Sequence, residues 1–114
     1  MKKQYLFDYD YGKSNVTFEV DLNMFTNEHA NATLNFFCWE YDKEENPVDA
    51  VMKKYALEAI QLATFRDLNL EGVVSVFEKH EGFCPVNGSY GITLKEVEMF
   101  EFDEDSFDVN ISNI

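Results

Sequence analysis

The chain has 114 residues, with 22 acidic side chains against nine basic ones and a formal net charge of −13 at pH 7. That balance excludes the basic footprint of a nucleic-acid binder and disfavours direct contact with phosphate backbones or anionic lipid. Apolar residues make up 46%, including eleven Phe, six Tyr and one Trp, which is too much for intrinsic disorder and enough for a core in one domain spanning residues 1–114.

The first segment alternates. Tyr5, Phe7, Tyr9 and Tyr11 share one face, with Asp8 and Asp10 on the other. Gly12, Lys13, Ser14 and Asn15 then form a turn, and Val16, Phe18, Val20, Leu22 and Met24 alternate with Thr17, Glu19, Asp21 and Asn23. Two period-two runs around a Gly/Asn turn predict an antiparallel hairpin with one apolar face to be covered.

The period then becomes helical. Thr26 is a capping residue, followed by Ala30, Leu34, Phe37, Cys38 and Tyr41 at helical spacing. After the run DKEEN, Asn46 reads as an N-cap, with Pro47 at the first helical position and Asp49 in the first turn, where a negative charge complements the helix dipole. Val48, Val51, Met52, Tyr55, Ala56, Ala59, Ile60 and Ala63 form the stripe of this second helix. A third starts at Asn69, buries Leu70, Val73, Val74 and Phe77, and ends at Gly82.

FCPVNGSYG is an irregular turn segment, and a strand is predicted from about Ile92 to Asp103. Along it the apolar phase flips twice, near residues 95–97 and again at 99–100. Either a β-bulge resets the phase, or the strand is apolar on both sides with Val97 and Met99 meeting a partner. Phe107, Val109 and Ile111 alternate with Asp108, Asn110 and Ser112, which predicts one more short strand. The resulting fold class is α+β: a small antiparallel sheet, made of the N-terminal hairpin plus one or two C-terminal strands, packed against three helices.

Two stretches, LNLEGVVSVFEKHEGFCPVNGSYGITL and EMFEFDEDSFDV, resemble a family of small acidic proteins of unknown function found in bacteria and in their phages and plasmids. The resemblance covers the C-terminal half of the chain. It implies a mobile-element accessory protein and brings no catalytic residue with it.

Several residue groupings invite chemistry. His80 and Cys84 lie four residues apart, but zinc needs about four Cys or His ligands, and His29 and Cys38 are far away in sequence. The same pair as nucleophile and base would need an electropositive setting to lower the thiol's pKa, and the neighbours Glu78 and Glu81 act in the opposite sense. Asp103, Glu104, Asp105 and Asp108 are closely spaced oxygens. Counted from Asp103, however, Asp108 falls where a calcium loop places Gly, and Ile114 falls where it places Glu. The expectations are therefore no catalytic residue, no cofactor and no metal site. Trp39 lies off the main stripe of its helix, so it either enters a second buried face or belongs to an exposed apolar patch.

No stretch approaches the ~20 apolar residues of a membrane span. Lys2 and Lys3 are followed by Tyr5, Leu6 and Phe7 and then by Asp8, without the apolar run of a signal peptide. The expected location is cytoplasmic, with both cysteines reduced. Four Asn-x-Ser/Thr matches, at Asn15, Asn31, Asn87 and Asn110, then carry no meaning as glycan acceptors.

The most distinctive stretch is EVEMFEFDEDSFDV, residues 96–109, in which Glu96, Glu98, Glu101, Asp103, Glu104, Asp105 and Asp108 occur with no basic residue. The ordinary reading is a solvated edge, since charges deter edge-to-edge pairing. The functional reading is a negative docking surface for a basic protein partner, a nucleic-acid mimic, flanked by an apolar interface of Trp39, Val97 and Met99. The sequence thus points to a non-enzymatic interaction module. The alternatives are a stand-alone ligand- or metal-binding domain and, last, a Cys/His enzyme. The alternating tail at Phe107, Val109 and Ile111 is also a candidate for pairing with a second copy as a homodimer.

Overall fold

The structure is a computed structural model and describes residues 1–10, 13–37, 44–80, 82–100, 102 and 108–113. The expected hairpin is present. Strand β1 (Lys2–Tyr9) pairs antiparallel with β2 (Ser14–Asp21), with Tyr5 opposite Phe18 and Phe7 opposite Val16. The inward side of β2 is apolar from Val16 on: Val16, Phe18 and Val20 are fully buried, beside a buried Ser14 at the start of the strand. Each such apolar side chain contributes about 1.5–3 kcal/mol through burial. The third strand, β3 (Ile92–Val97), pairs antiparallel with the other side of β2, giving the order β1-β2-β3. The α+β architecture read from the sequence is the observed one.

The phase flip read near residues 95–97 is a bulge. Thr17 pairs with Glu96 but Phe18 pairs with Leu94, so Lys95 is the extra residue. It lets both Leu94 and Val97 turn toward the helices, Leu94 buried and Val97 half-buried against the core. Two strand boundaries differ from expectation. β2 ends at Asp21 rather than continuing to Met24, because the Asp21 carbonyl accepts the N–H groups of both Met24 (3.0 Å) and Phe25 (2.8 Å) and folds the chain into a turn. That turn drives Phe25 into the core. β3 ends at Val97, not at Asp103; from Glu98 the backbone follows other partners, described below. The tail strand is also not formed among the described residues. Val109 and Ile111 are 76% and 84% exposed in irregular backbone, with no apolar surface to cover them. Phe107 lies outside the described residues.

Three helices follow, α1 (Asn27–Phe37), α2 (Pro47–Phe65) and α3 (Leu70–Lys79); α2 packs on all three strands and α3 on β3, while α1 packs on α2 rather than on the sheet. Their starts are chemically marked. The Thr26 hydroxyl accepts the His29 N–H (3.3 Å), Asn46 accepts the Val48 N–H (2.9 Å) ahead of Pro47, and Asn69 accepts the Gly72 N–H (2.9 Å). In α1 the stripe buries Ala30 and Leu34 and half-buries Phe37; Cys38 and Tyr41 lie outside the described residues. α3 ends with His80 as its C-cap, and Gly82 (φ +89°) makes the turn two residues later. In α2 the stripe is buried as spaced, with Tyr55 at its centre. The Tyr55 ring meets Phe77 of α3 (5.6 Å between centroids) and Phe83 beyond it (4.9 Å). The Tyr55 hydroxyl accepts the Cys84 N–H at 2.9 Å. The segment after α3 does more than turn. The Leu94 N–H donates to the Val86 carbonyl (2.9 Å) and the Gly88 N–H to the Ile92 carbonyl (2.9 Å), so residues 86–88 cover part of the outer edge of β3.

The start of α2 is tied to β1. The Asp49 carboxylate accepts from the Tyr5 hydroxyl and from Lys3 (2.9 Å). Partial burial alone would raise the Asp49 pKa. The Tyr5 and Lys3 contacts overcome it and hold the carboxyl below its ordinary value. A depressed folded-state pKa stabilises the fold fully above the unfolded-state value of about 4. That stabilisation is lost as pH falls through the folded value. Asp49→Asn is therefore expected to cost about 1 kcal/mol at neutral pH, given the exposure of the pair. Urea titrations should show the difference between variant and wild type starting to close as pH falls below about 4, the unfolded value, and continuing to close in stronger acid; a difference that does not change with pH would refute the linkage.

Candidate functional site

Beyond β3 the chain is anchored at two points. At the first, the Ser14 hydroxyl donates to the Glu98 carbonyl (2.7 Å), the Glu98 N–H donates to the Asn15 carbonyl (3.0 Å), and the Glu98 carboxylate accepts the Asn15 N–H (3.1 Å). At the second, the Phe100 N–H donates to the Thr64 hydroxyl oxygen of α2 (2.8 Å). These bonds lay residues 98–100 against the end of the hairpin and the last two turns of α2.

A groove of about 290 Å³ opens there, lined by Tyr9, Leu57, Ile60, Gln61, Thr64, Phe65, Phe100 and Phe102. Its α2 wall is a second side of that helix, with Leu57, Gln61 and Phe65 at i, i+4 and i+8. Its other wall is aromatic. Phe100 is half-buried and packs edge-on against Tyr9 (5.7 Å) and Phe102 (4.9 Å), while Phe102 leans on Phe65 (6.1 Å). Lys13 Nζ lies 5.9 Å from the Phe100 ring. Phe65 and Phe102 are each 72% exposed. Two neighbouring phenylalanines this open form an apolar patch of the kind that marks interaction surfaces.

The acidic run begins at this groove. Glu96 and Asp108 are exposed. Glu98 is exposed too, but its carboxylate is partly engaged by the Asn15 N–H, so it also fixes the chain's path. Glu101, Asp103, Glu104 and Asp105 lie outside the described residues, as does Trp39. Of the expected apolar interface, Val97 faces the core and Met99 is 45% exposed. Phe65 and Phe102 carry most of the exposed apolar surface here. The sequence signal for them was present: Leu57 and Phe65 repeat at helical spacing off the main stripe of α2.

Among the described residues, no group of three His, Cys, Asp or Glu is placed to hold a metal ion. Cys84 is half-buried, and burial pushes its thiol pKa up although the Tyr55 hydroxyl acts in the opposite direction. The His80 ring packs on Phe83 (4.6 Å), with Nε2 4.0 Å from Glu58. A wider, more open depression between the end of α2 and α3 is lined by Arg66, Leu68, Gly72, Ser75, Val76, Lys79 and His80. Its cationic rim is the wrong sign for a basic partner.

Comparison with known proteins places the chain in a family. The family described as "Protein of unknown function (DUF2528)" matches residues 15–110. The chain belongs to that family. The match runs from the start of β2 to the tail, wider than the C-terminal half that the sequence motifs marked out. Two similar proteins are "Lambda prophage-derived protein ea10" of Escherichia coli O6:H1 and "Protein ea10" of Escherichia phage lambda. Each is 30% identical over 113 residues, covering 90% of this chain and 92% of the relative. The chain's relatives therefore include phage and prophage proteins, in keeping with the mobile-element character that the sequence resemblance implied. No solved structure matches the chain significantly. Among the described residues, no helix is long and apolar enough to cross a membrane.

Proposed function

We propose that this chain is a non-enzymatic, cytoplasmic accessory protein of a phage or mobile element that binds a basic protein surface. The partner seats an apolar side chain between Phe65 and Phe102 while its lysines or arginines meet the acidic run from Glu96 to Asp108. The observation that carries this reading is the joining of two unlike features. An open aromatic groove lies at the root of a segment with seven carboxylates and no base. The phage and prophage relatives supply the biological setting. A half-buried thiol whose pKa is raised by burial and a histidine packed on Phe83 support the non-enzymatic part, because a nucleophile needs an accessible thiolate.

The test is titration of the chain with a lysine-rich probe peptide bearing one Leu or Phe anchor. Binding should weaken about tenfold or more between low and physiological-to-high salt, since rim charges act through a screened field. Phe65→Ala and Phe102→Ala should each lower affinity by about tenfold. Reversal of Glu101, Asp103, Glu104 and Asp105 to lysine should abolish binding. Affinity that ignores both salt and the two phenylalanines would end the proposal.

A further inference from the structure

β1 is an edge strand, and nothing among the described residues pairs with its outer side. The other sheet edge is treated differently, since residues 86–88 bond to β3. The Met1 carbonyl accepts the Leu22 N–H at 2.8 Å, which puts the odd-numbered residues of β1 in the ladder with β2. The N–H and C=O groups of Lys2, Gln4, Leu6 and Asp8 therefore point outward, as a template for another strand.

The sequence of that edge, KKQYLFDY, is basic at one end and acidic at the other. Antiparallel pairing of two identical strands reverses one against the other, so it brings the basic end of each beside the acidic end of its copy. Parallel pairing would put like charges side by side. Keeping each face of the sheet on its own side requires even residues to meet even residues. With Tyr5 on the two-fold axis, Lys2 of each copy faces Asp8 of the other and Gln4 faces Leu6. All four positions are those whose backbone groups point outward. Asp8 is exposed and has no hydrogen bond or ion pair among the described residues, whereas Asp10 is already engaged by Lys13 (3.6 Å). Leu6, 73% exposed on the solvent face, would lie diagonally beside its own copy.

We propose that two copies of this chain join edge to edge through β1, antiparallel about a two-fold axis at Tyr5, to form one continuous six-stranded sheet. The interface is isologous, so it closes at two copies. It uses β1 and not the tail at Phe107, Val109 and Ile111. It is also independent of partner binding at the groove, because the residues it tests are not groove residues and its readout is molecular mass.

Sedimentation and light scattering of the full chain over a concentration series decide it. The wild type should pass from one-chain to two-chain mass as concentration rises. Lys2→Asp sets Asp opposite Asp8 twice in each dimer and should shift the transition to at least about tenfold higher concentration. Asp8→Lys alone should do the same, and Lys2→Asp with Asp8→Lys should restore the wild-type transition. Gln4→Pro removes one outward N–H without touching the β2 ladder and should also give monomer; circular dichroism confirms that each variant is folded. A wild type that stays monomeric up to millimolar concentration overturns the proposal. So does a Lys2→Asp or a folded Gln4→Pro variant that dimerises like wild type, or a double variant that fails to recover.

Discussion

Replacing Tyr55 by Ala is expected to destabilise the protein by about 3–5 kcal/mol, a large share of the 5–15 kcal/mol typical of a domain this size. Tyr55 is fully buried and touches both later aromatic groups of the core, Phe77 and Phe83. Those two rings also pack edge-on against each other, 5.1 Å apart. Removing the Tyr55 ring leaves a cavity bounded by rings on different elements, which cannot all collapse inward together. The hydroxyl adds a second, separable effect. It accepts the Cys84 N–H, which by itself would favour ionisation, but burial outweighs that bond and raises the hydroxyl's pKa, so it stays a neutral phenol. Tyr55→Phe keeps the ring and orphans that N–H, for an expected cost of about 1–3 kcal/mol. Denaturant titrations of the two variants separate the effects. A Phe variant as unstable as the Ala variant would mean the hydrogen bond, not the aromatic packing, holds the chain after α3 in place.

The same cluster shows what could be read from the sequence. Tyr55 and Phe77 were legible as core because each sits on a single apolar stripe at helical spacing. Asn46 with Pro47, and Asn69, marked helix starts because capping is local chemistry that needs no tertiary context. The irregularity at Lys95 was legible as a phase flip, which left either a bulge or a strand apolar on both sides; the register shift shows the bulge. Contacts made by backbone groups were hidden. Residues 86–88 cover the edge of β3 through N–H and C=O groups that every sequence possesses, and the Asp21 carbonyl ends β2 in the same way. Periodicity also reports that a face is apolar without saying what covers it. Leu57 and Phe65 form a stripe that resembles a minor core face, and only the path of Phe100 and Phe102 makes it a groove.

Gly91→Ala is expected to cost about 3 kcal/mol or more, although it adds a single methyl group, because Gly91 is buried in its turn. Gly91 has φ +93°, a conformation that costs a residue with a Cβ about 1–3 kcal/mol. A Cβ there would also lie 2.8 Å from the Met24 Cβ, 3.0 Å from the Phe25 nitrogen and 3.1 Å from the Asp21 carbonyl oxygen. Two of those three atoms are backbone and cannot rotate away. They belong to the turn that ends β2 and seats Phe25 in the core, and the Gly91 carbonyl itself accepts the Asp21 N–H at 2.7 Å. The methyl group must therefore push the entry of β3 away from the exit of β2, straining that bond as well. Gly88 is the control. Its φ is +96°, but the Cβ would meet only the Thr93 hydroxyl, at 3.0 Å, at the end of a side chain that can turn. Gly88→Ala should thus show the backbone strain alone. The difference between the two variants in denaturant titration measures the close approach at Gly91, and equal losses would show that strain, not contact with the turn, dictates glycine there.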